Sequence, residues 1–372
     1  MSTFESLKAR GKKLEAHSVA LADWMKTHLP EEGNQGSLRE LEFIGRELRS
    51  LQRAVENPAS VVMFGQSQVG KSYLIHNIAK NRTTDRLEIK GGAGEVVDFI
   101  KDINPIGEGS EATGVVTRFT VGESTGNTEF PFEAKLLSQL DIAAIAANSY
   151  NGDLTGQPAD TTEKIRSVFE GLPALAAQPI AGMNADEIAY FIDYCRNRFS
   201  GAAYIAALDR AGYFEELQKT LLFLTDDQRL KVLSLLWGGV PFWSEFVEQA
   251  WRALTKLGHA RHAFLSRESV SPNSHTVVGV SRIYEQYDQE LHSIGYSPRQ
   301  QGVAPPAWEV AVKTEGKVSH LNRGMLSVLI REVTLPIDSS IASEDRHFLK
   351  ECDLLDFPGA RSRKEVQEST FR

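Results

Sequence analysis

The pattern of apolar and polar residues over the first 57 positions reads as helical throughout, with one break at Leu29-Pro30-Glu31-Glu32-Gly33-Asn34-Gln35-Gly36. An N-terminal helical hairpin over 1–57 is expected. Its second helix opens at Ser37, an N-cap with Glu40 three residues on, and aligns Leu41, Ile44, Leu48, Leu51 and Val55 as a seam. That seam suits a partner helix in the same domain or in another chain.

From Ala59 the pattern changes to strand, loop, helix, loop, strand, an α/β unit. Val61-Val62-Met63-Phe64 is a continuous apolar run, which predicts a strand covered on both faces. A helix is expected from Lys71 to about Lys80, and a second strand in Gly114 to Val121. The glycines at 91, 92 and 94, followed by Asn104-Pro105, predict a mobile connection between them.

Helical periodicity then dominates, in Phe132 to Tyr150, Thr161 to Glu170, Ala185 to Phe199, Phe214 to Leu224, Asp226 to Trp237 and Ser244 to Leu257. Strand character returns in Leu326 to Leu335 and in Cys352 to Phe357. The organisation expected is 1–57 hairpin, 58–122 first part of a nucleotide-binding domain, 123–320 mainly helical insertion, and 321–372 second part of that domain. The fold class is α/β.

Composition narrows the function classes. At 372 residues, with 41% hydrophobic and 24% charged, the chain fits neither a disordered nor a membrane-spanning protein. The N-terminus carries basic residues without the apolar run of a secretory signal, so a cytoplasmic location is expected. A formal charge of -8 argues against nucleic acid as a partner. Cys195 and Cys352 suit buried thiols better than a disulfide framework or a metal site.

Gly65-Gln66-Ser67-Gln68-Val69-Gly70-Lys71-Ser72 matches G-x-x-x-x-G-K-[ST] between a strand and a helix. Glycines let successive backbone N–H groups converge on an anion, and the helix N-terminus adds its positive end. Lys71 would reach the β- and γ-phosphates of a nucleoside triphosphate, and the Ser72 hydroxyl would ligate Mg²⁺. Asp356, ending an apolar strand, would hold the water shell of the metal, and Gly359 would bring its N–H to the γ-phosphate. Thr113 and Thr117 are both candidates for sensing that phosphate.

Gly114-Val115-Val116-Thr117-Arg118 and Asp356-Phe357-Pro358-Gly359 resemble the second and third motifs of dynamin-like GTPases. The longer runs from Ile103 to Thr120 and from Leu354 to Arg361 are similar to bacterial virulence factors of the SrfC-like family. The resemblance implies a P-loop NTPase core and selects Thr117 as the switch threonine and second Mg²⁺ ligand. Dynamin-like loops carry Gln-Ser where this chain has Ser67-Gln68, so either residue is a candidate for positioning the attacking water. Arg361 and Arg363 are weaker candidates for stabilising transition-state charge. No base-reading motif follows Gly359, and the base-selective half of such a domain is expected beyond Arg372.

The function expected is therefore Mg²⁺-dependent GTP hydrolysis in a bacterial virulence-associated protein, with export by a non-classical route left open. Its alternatives are an ATP-using P-loop protein and a non-catalytic interaction or toxin-complex subunit. Helix-mediated self-association or a partner protein is expected, and membrane contact stays open. His259 and His262, taken as helical neighbours, lack a third ligand and suit surface or packing roles. Trp237, Phe242, Trp243, Phe246 and Trp251 suit packing between two helices, and Asp226-Asp227 a helix N-terminus.

Overall fold

The computed structural model describes residues 3–29, 31–55, 57–65, 70–92, 94–103, 115–122, 127–153, 161–172, 175–266, 309–338, 341 and 344–357. The chain divides into two compact units, Met1–Ser60 and Val61–Arg372.

The first unit is a hairpin of α1 (Thr3–His28) and α2 (Glu31–Val55). Small residues set its inner face. A Cβ added to Gly11 would touch Gln52 at 3.4 Å, and one added to Gly45 would crowd the Ser18 hydroxyl at 3.3 Å, so the helices run antiparallel in close contact. Helix α2 begins at Glu31, ahead of the Ser37 start expected, and takes Gly33 and Gly36 into the helix. A helix-interior glycine costs about 1 kcal/mol.

The second unit is mixed α/β, built around a large sheet with many helices. The strands run β1 (Ala59–Met63), β2 (Glu88–Lys90), β3 (Val96–Asp98), β4 (Val116–Val121), β5 (Phe132–Leu136), β6 (His262–Leu265), β7 (Glu309–Thr314), β8 (Lys317–Asn322), β9 (Ile330–Ile337) and β10 (Cys352–Asp356). Their order across the sheet is β1-β10-β4-β9-β5-β6-β7-β8, with the β2–β3 hairpin joined to β9. Strands β4 and β9 are parallel neighbours, whereas β10 meets β4 antiparallel.

Helix α3 (Lys71–Ala79) buries Ile75 and Ala79 in the same core as Phe99, Phe119 and Leu354. The helices α4 (Gln139–Asp153), α5 (Thr161–Glu170), α6 (Ala185–Arg198), α7 (Ala203–Arg210), α8 (Tyr213–Thr220), α9 (Asp226–Leu233) and α10 (Pro241–Lys256) all fall between β5 and β6. Trp237 and Trp251 are fully buried there, and Trp251 Nε1 donates to the Gln139 carbonyl at 3.0 Å, so the aromatic cluster packs the helices. A short helix α11 (Arg323–Leu329) leads into β9.

Several expectations are corrected. Phe132–Leu136 is a strand: the helix expected over 132–150 starts only at Gln139, because β5 pairs with both β9 and β6 and alternates buried and half-buried positions. The stretch 326–335 splits into the end of α11 and β9, since the capping side chain of Asn322 accepts from Gly324 and Met325 and starts a helical turn. The glycine-rich connection forms the β2–β3 hairpin, closed by Gly91 N–H to Glu95 O at 2.8 Å. Asn104-Pro105 lies outside the described residues.

Strand β1 is not covered on both faces. Val61 and Val62 are 41% and 48% exposed because β1 closes one end of the sheet order among the described residues. Cys195 is buried, as expected, whereas Cys352 is only half-buried at the start of β10. His259 and His262 do not share a helix: His259 follows α10 in a left-handed turn at φ 56°, and His262 opens β6 and pairs with Glu133 at 3.0 Å. Asp226 does lie in the first turn of α9, capped by Thr225.

Candidate functional site

The turn ending in Gly70-Lys71-Ser72 opens α3. Gly70 sits in the left-handed region at φ 87°, which side chains resist, and a Cβ there would meet nothing within 4 Å. Among the described residues no side chain caps the first turn of α3, and no acidic residue lies in that turn. The first amides of the helix therefore keep the positive character that attracts an anion. Lys71 Nζ donates to the Gly65 carbonyl at 3.1 Å, so the lysine spans the turn from one end to the other.

Asp356 reaches the same place from the sheet. It ends β10 fully buried, and its Oδ2 accepts the Ser72 hydroxyl at 2.5 Å, across 284 residues of sequence. In the β10–β4 pairing Asp356 stands opposite Thr117, which puts the two side chains on one face of the sheet. Thr117 is itself buried, and its hydroxyl donates to the Val115 carbonyl at 3.4 Å.

The fold thus gathers Ser72, Asp356 and Thr117 around the start of α3, with Lys71 and Gly70 in the adjoining turn. Gln66, Ser67, Gln68, Val69, Thr113, Gly359, Arg361 and Arg363 lie outside the described residues. Among the described residues no group of three His, Cys, Asp or Glu side chains could hold a metal. Two hydroxyls and one carboxylate are hard oxygen donors, a set that suits Mg²⁺ shared with phosphate oxygens rather than a metal held by protein alone.

On the opposite face of the same strands lies an ion network that the sequence did not single out. Arg118 Nε donates to Glu332 Oε1 at 2.7 Å and Nη1 to Asp353 Oδ2 at 2.9 Å, while Lys135 Nζ meets Glu332 at 2.9 Å. All four come from adjacent strands, β5, β9, β4 and β10. Burial alone would push the Glu332 carboxyl up, but the Arg118 and Lys135 cations outweigh it and hold the carboxyl below its ordinary range. Burial likewise opposes the charge on Arg118, yet its two carboxylate partners keep it more firmly protonated than usual. Alternation along β4 sends Thr117 to the candidate site and Arg118 to this network. A charged residue inside an apolar strand was the signal available beforehand.

A second buried cation, Arg229, organises the helical block. It is fully buried in α9 and donates to the carbonyls of Ala181 at 2.6 Å, Ile180 at 2.7 Å and Leu221 at 3.2 Å, with Asp226 Oδ1 at 3.2 Å.

A family model described as "Putative bacterial virulence factor" matches residues 32–370. No curated protein matches the chain. Among the described residues no helix is long and apolar enough to cross a membrane.

Proposed function

The chain belongs to this bacterial virulence-factor family, and from that premise we propose that it binds a nucleoside triphosphate at the Gly65–Ser72 turn and hydrolyses its β–γ phosphoanhydride. The observation that carries the reading is the Ser72–Asp356 hydrogen bond, which joins the glycine-rich turn to a carboxylate 284 residues away. A strand-to-helix turn with no ligand to hold needs no buried carboxylate at its second helical residue.

In this reading the amides from Gly65 to Gly70, including those of Gln66, Ser67, Gln68 and Val69, wrap the phosphates. Lys71 leaves the Gly65 carbonyl for the β- and γ-oxygens, as a flexible cation can. Ser72 and Thr117 would hold Mg²⁺, with Asp356 accepting from its bound water and Gly359 approaching the γ-phosphate. Bound there, Mg²⁺ supplies positive charge to the phosphate oxygens. Ser67 or Gln68 would orient the attacking water. The resemblance to dynamin-like GTPases favours GTP over ATP.

Titration of the purified protein with fluorescent GTP and ATP, with and without Mg²⁺, tests the reading alongside phosphate release, using Lys71→Ala as control. Mg²⁺-dependent binding and turnover that the variant loses support it. Binding without turnover makes the protein an interaction subunit with a structural nucleotide, and no binding of either nucleotide overturns the proposal.

A further inference from the structure

We infer that the N-terminal hairpin is half of a four-helix bundle and that the other half is the hairpin of a second copy of this chain, docked with its turn against the open end of the first. The inner face of the hairpin is made of small residues: Gly11, Ser18, Ala22 and Gly45 are buried, with Met25. Leu41, Leu48 and Val55 are half-buried, but other large hydrophobes lie outside. Leu7, Leu14 and Leu21 of α1 are about half exposed, as are Ile44 and Leu51 of α2. A hairpin that leaves five large apolar side chains exposed along one side offers a surface another element can cover.

These five residues form one surface. Leu7, Leu14 and Leu21 repeat every seven positions, as do Ile44 and Leu51. At about 100° per residue, Leu7, Leu14 and Leu21 lie about 30–70° from the inner stripe of α1, and Ile44 and Leu51 about 100–120° from Gly45 on α2, in the same rotational sense. In an antiparallel pair, offsets of the same sense bring both stripes to the same side of the hairpin. The repeat of seven is that of helices packing at a shallow angle, the geometry of bundles.

Charge identifies the occupant and its direction. At its open end the sequence carries Lys8, Arg10, Lys12, Lys13, Arg46, Arg49 and Arg53 against Glu5, Glu15, Glu47 and Glu56. The turn end carries Asp23, Glu31, Glu32, Glu40 and Glu42 against Lys26 and Arg39. The hairpin is therefore positive at one end and negative at the other. A second copy related by a two-fold axis perpendicular to the helices brings acidic turn over basic open end at both ends of the bundle. A two-fold axis along the helices would set like charge on like, which disfavours it.

The test uses the full chain in sedimentation equilibrium, with circular dichroism to check folding. The expected result is a dimer that weakens at high salt, with Leu14→Glu and Leu51→Glu each weakening association at least tenfold while leaving the thermal transition in place. Val19→Glu, an exposed apolar position on another side of α1, should leave the dimer intact. In a Cys352→Ser background, His17→Cys near the middle of α1 should cross-link to its own copy, and His28→Cys at the turn should not. A monomer at all concentrations, or a dimer indifferent to Leu14→Glu and Leu51→Glu, overturns the inference. Self-cross-linking of His28→Cys overturns the stated direction.

Discussion

Ser72 Oγ and Asp356 Oδ2 are 2.5 Å apart, although 284 residues separate them. On the proposed function this pair links the first helical turn of α3 to the water shell of Mg²⁺. Asp356→Asn keeps the shape and removes the charge. The expected outcome is a Mg²⁺ requirement raised about 10- to 100-fold for nucleotide binding, with binding in EDTA unchanged, read by Mg²⁺ titration of a fluorescent nucleotide complex. An unchanged Mg²⁺ requirement would remove Asp356 from that role.

Arg118 binds both Glu332 and Asp353 in a nearly dry setting. Arg118→Met leaves two buried carboxylates facing Lys135 alone and should cost about 3–5 kcal/mol in urea unfolding. The Glu332 carboxyl titrates lower in the folded chain than in the unfolded one. Its contribution is complete above the ordinary glutamate pKa of 4.5 and is lost as pH falls through the folded value. Glu332→Gln should flatten the acid limb of stability against pH.

Gly182 has φ 109°, and a Cβ there would fall 2.2 Å from Gln139 Oε1 and 3.1 Å from Arg229 Nη1. Gly182→Ala should destabilise the protein by about 1–3 kcal/mol from the backbone alone, and by more where the Arg229 bonds are displaced. Gly201→Ala, with open space around it, serves as the comparison and should be near neutral. Equal denaturation midpoints for the two variants would contradict this account.

Burial holds the His259 imidazole below its ordinary value of 6.5, helped by the neighbouring Arg229 and Arg261 and opposed by Asp226. The folded chain therefore resists protonation more than the unfolded one does. Stability from this group is complete above about pH 6.5 and declines as pH falls through the folded value. Urea midpoints measured from about pH 7.5 to 5.5 should fall for the parent chain and fall less for His259→Asn, which tolerates the left-handed turn.

Local chemistry wrote much of this molecule legibly. Helix α3 after Gly-Lys-Ser, the strand at Val116–Val121 and the helices α5, α6 and α10 follow from periodicity and capping, because each is fixed by neighbours a few residues away. Phe132–Leu136 was not legible. Its five residues continue an apolar pattern that suits a helix, and only pairing with β9 and β6 on its two edges makes it a strand. The exposure of Val61 and Val62 was equally hidden, since an apolar run reports the composition of a strand and not its place in a sheet.

At the candidate site the sequence by itself determined the parts: a glycine-punctuated turn, a lysine and serine at the head of a helix, and an aspartate closing an apolar strand. Only the tertiary structure decided that Ser72 and Asp356 meet, that Thr117 shares their face, and that Arg118 turns away to Glu332 and Asp353. The reason is that strand order and register, set by burial of the whole sheet, bring together residues far apart in the chain, and no local pattern encodes that choice.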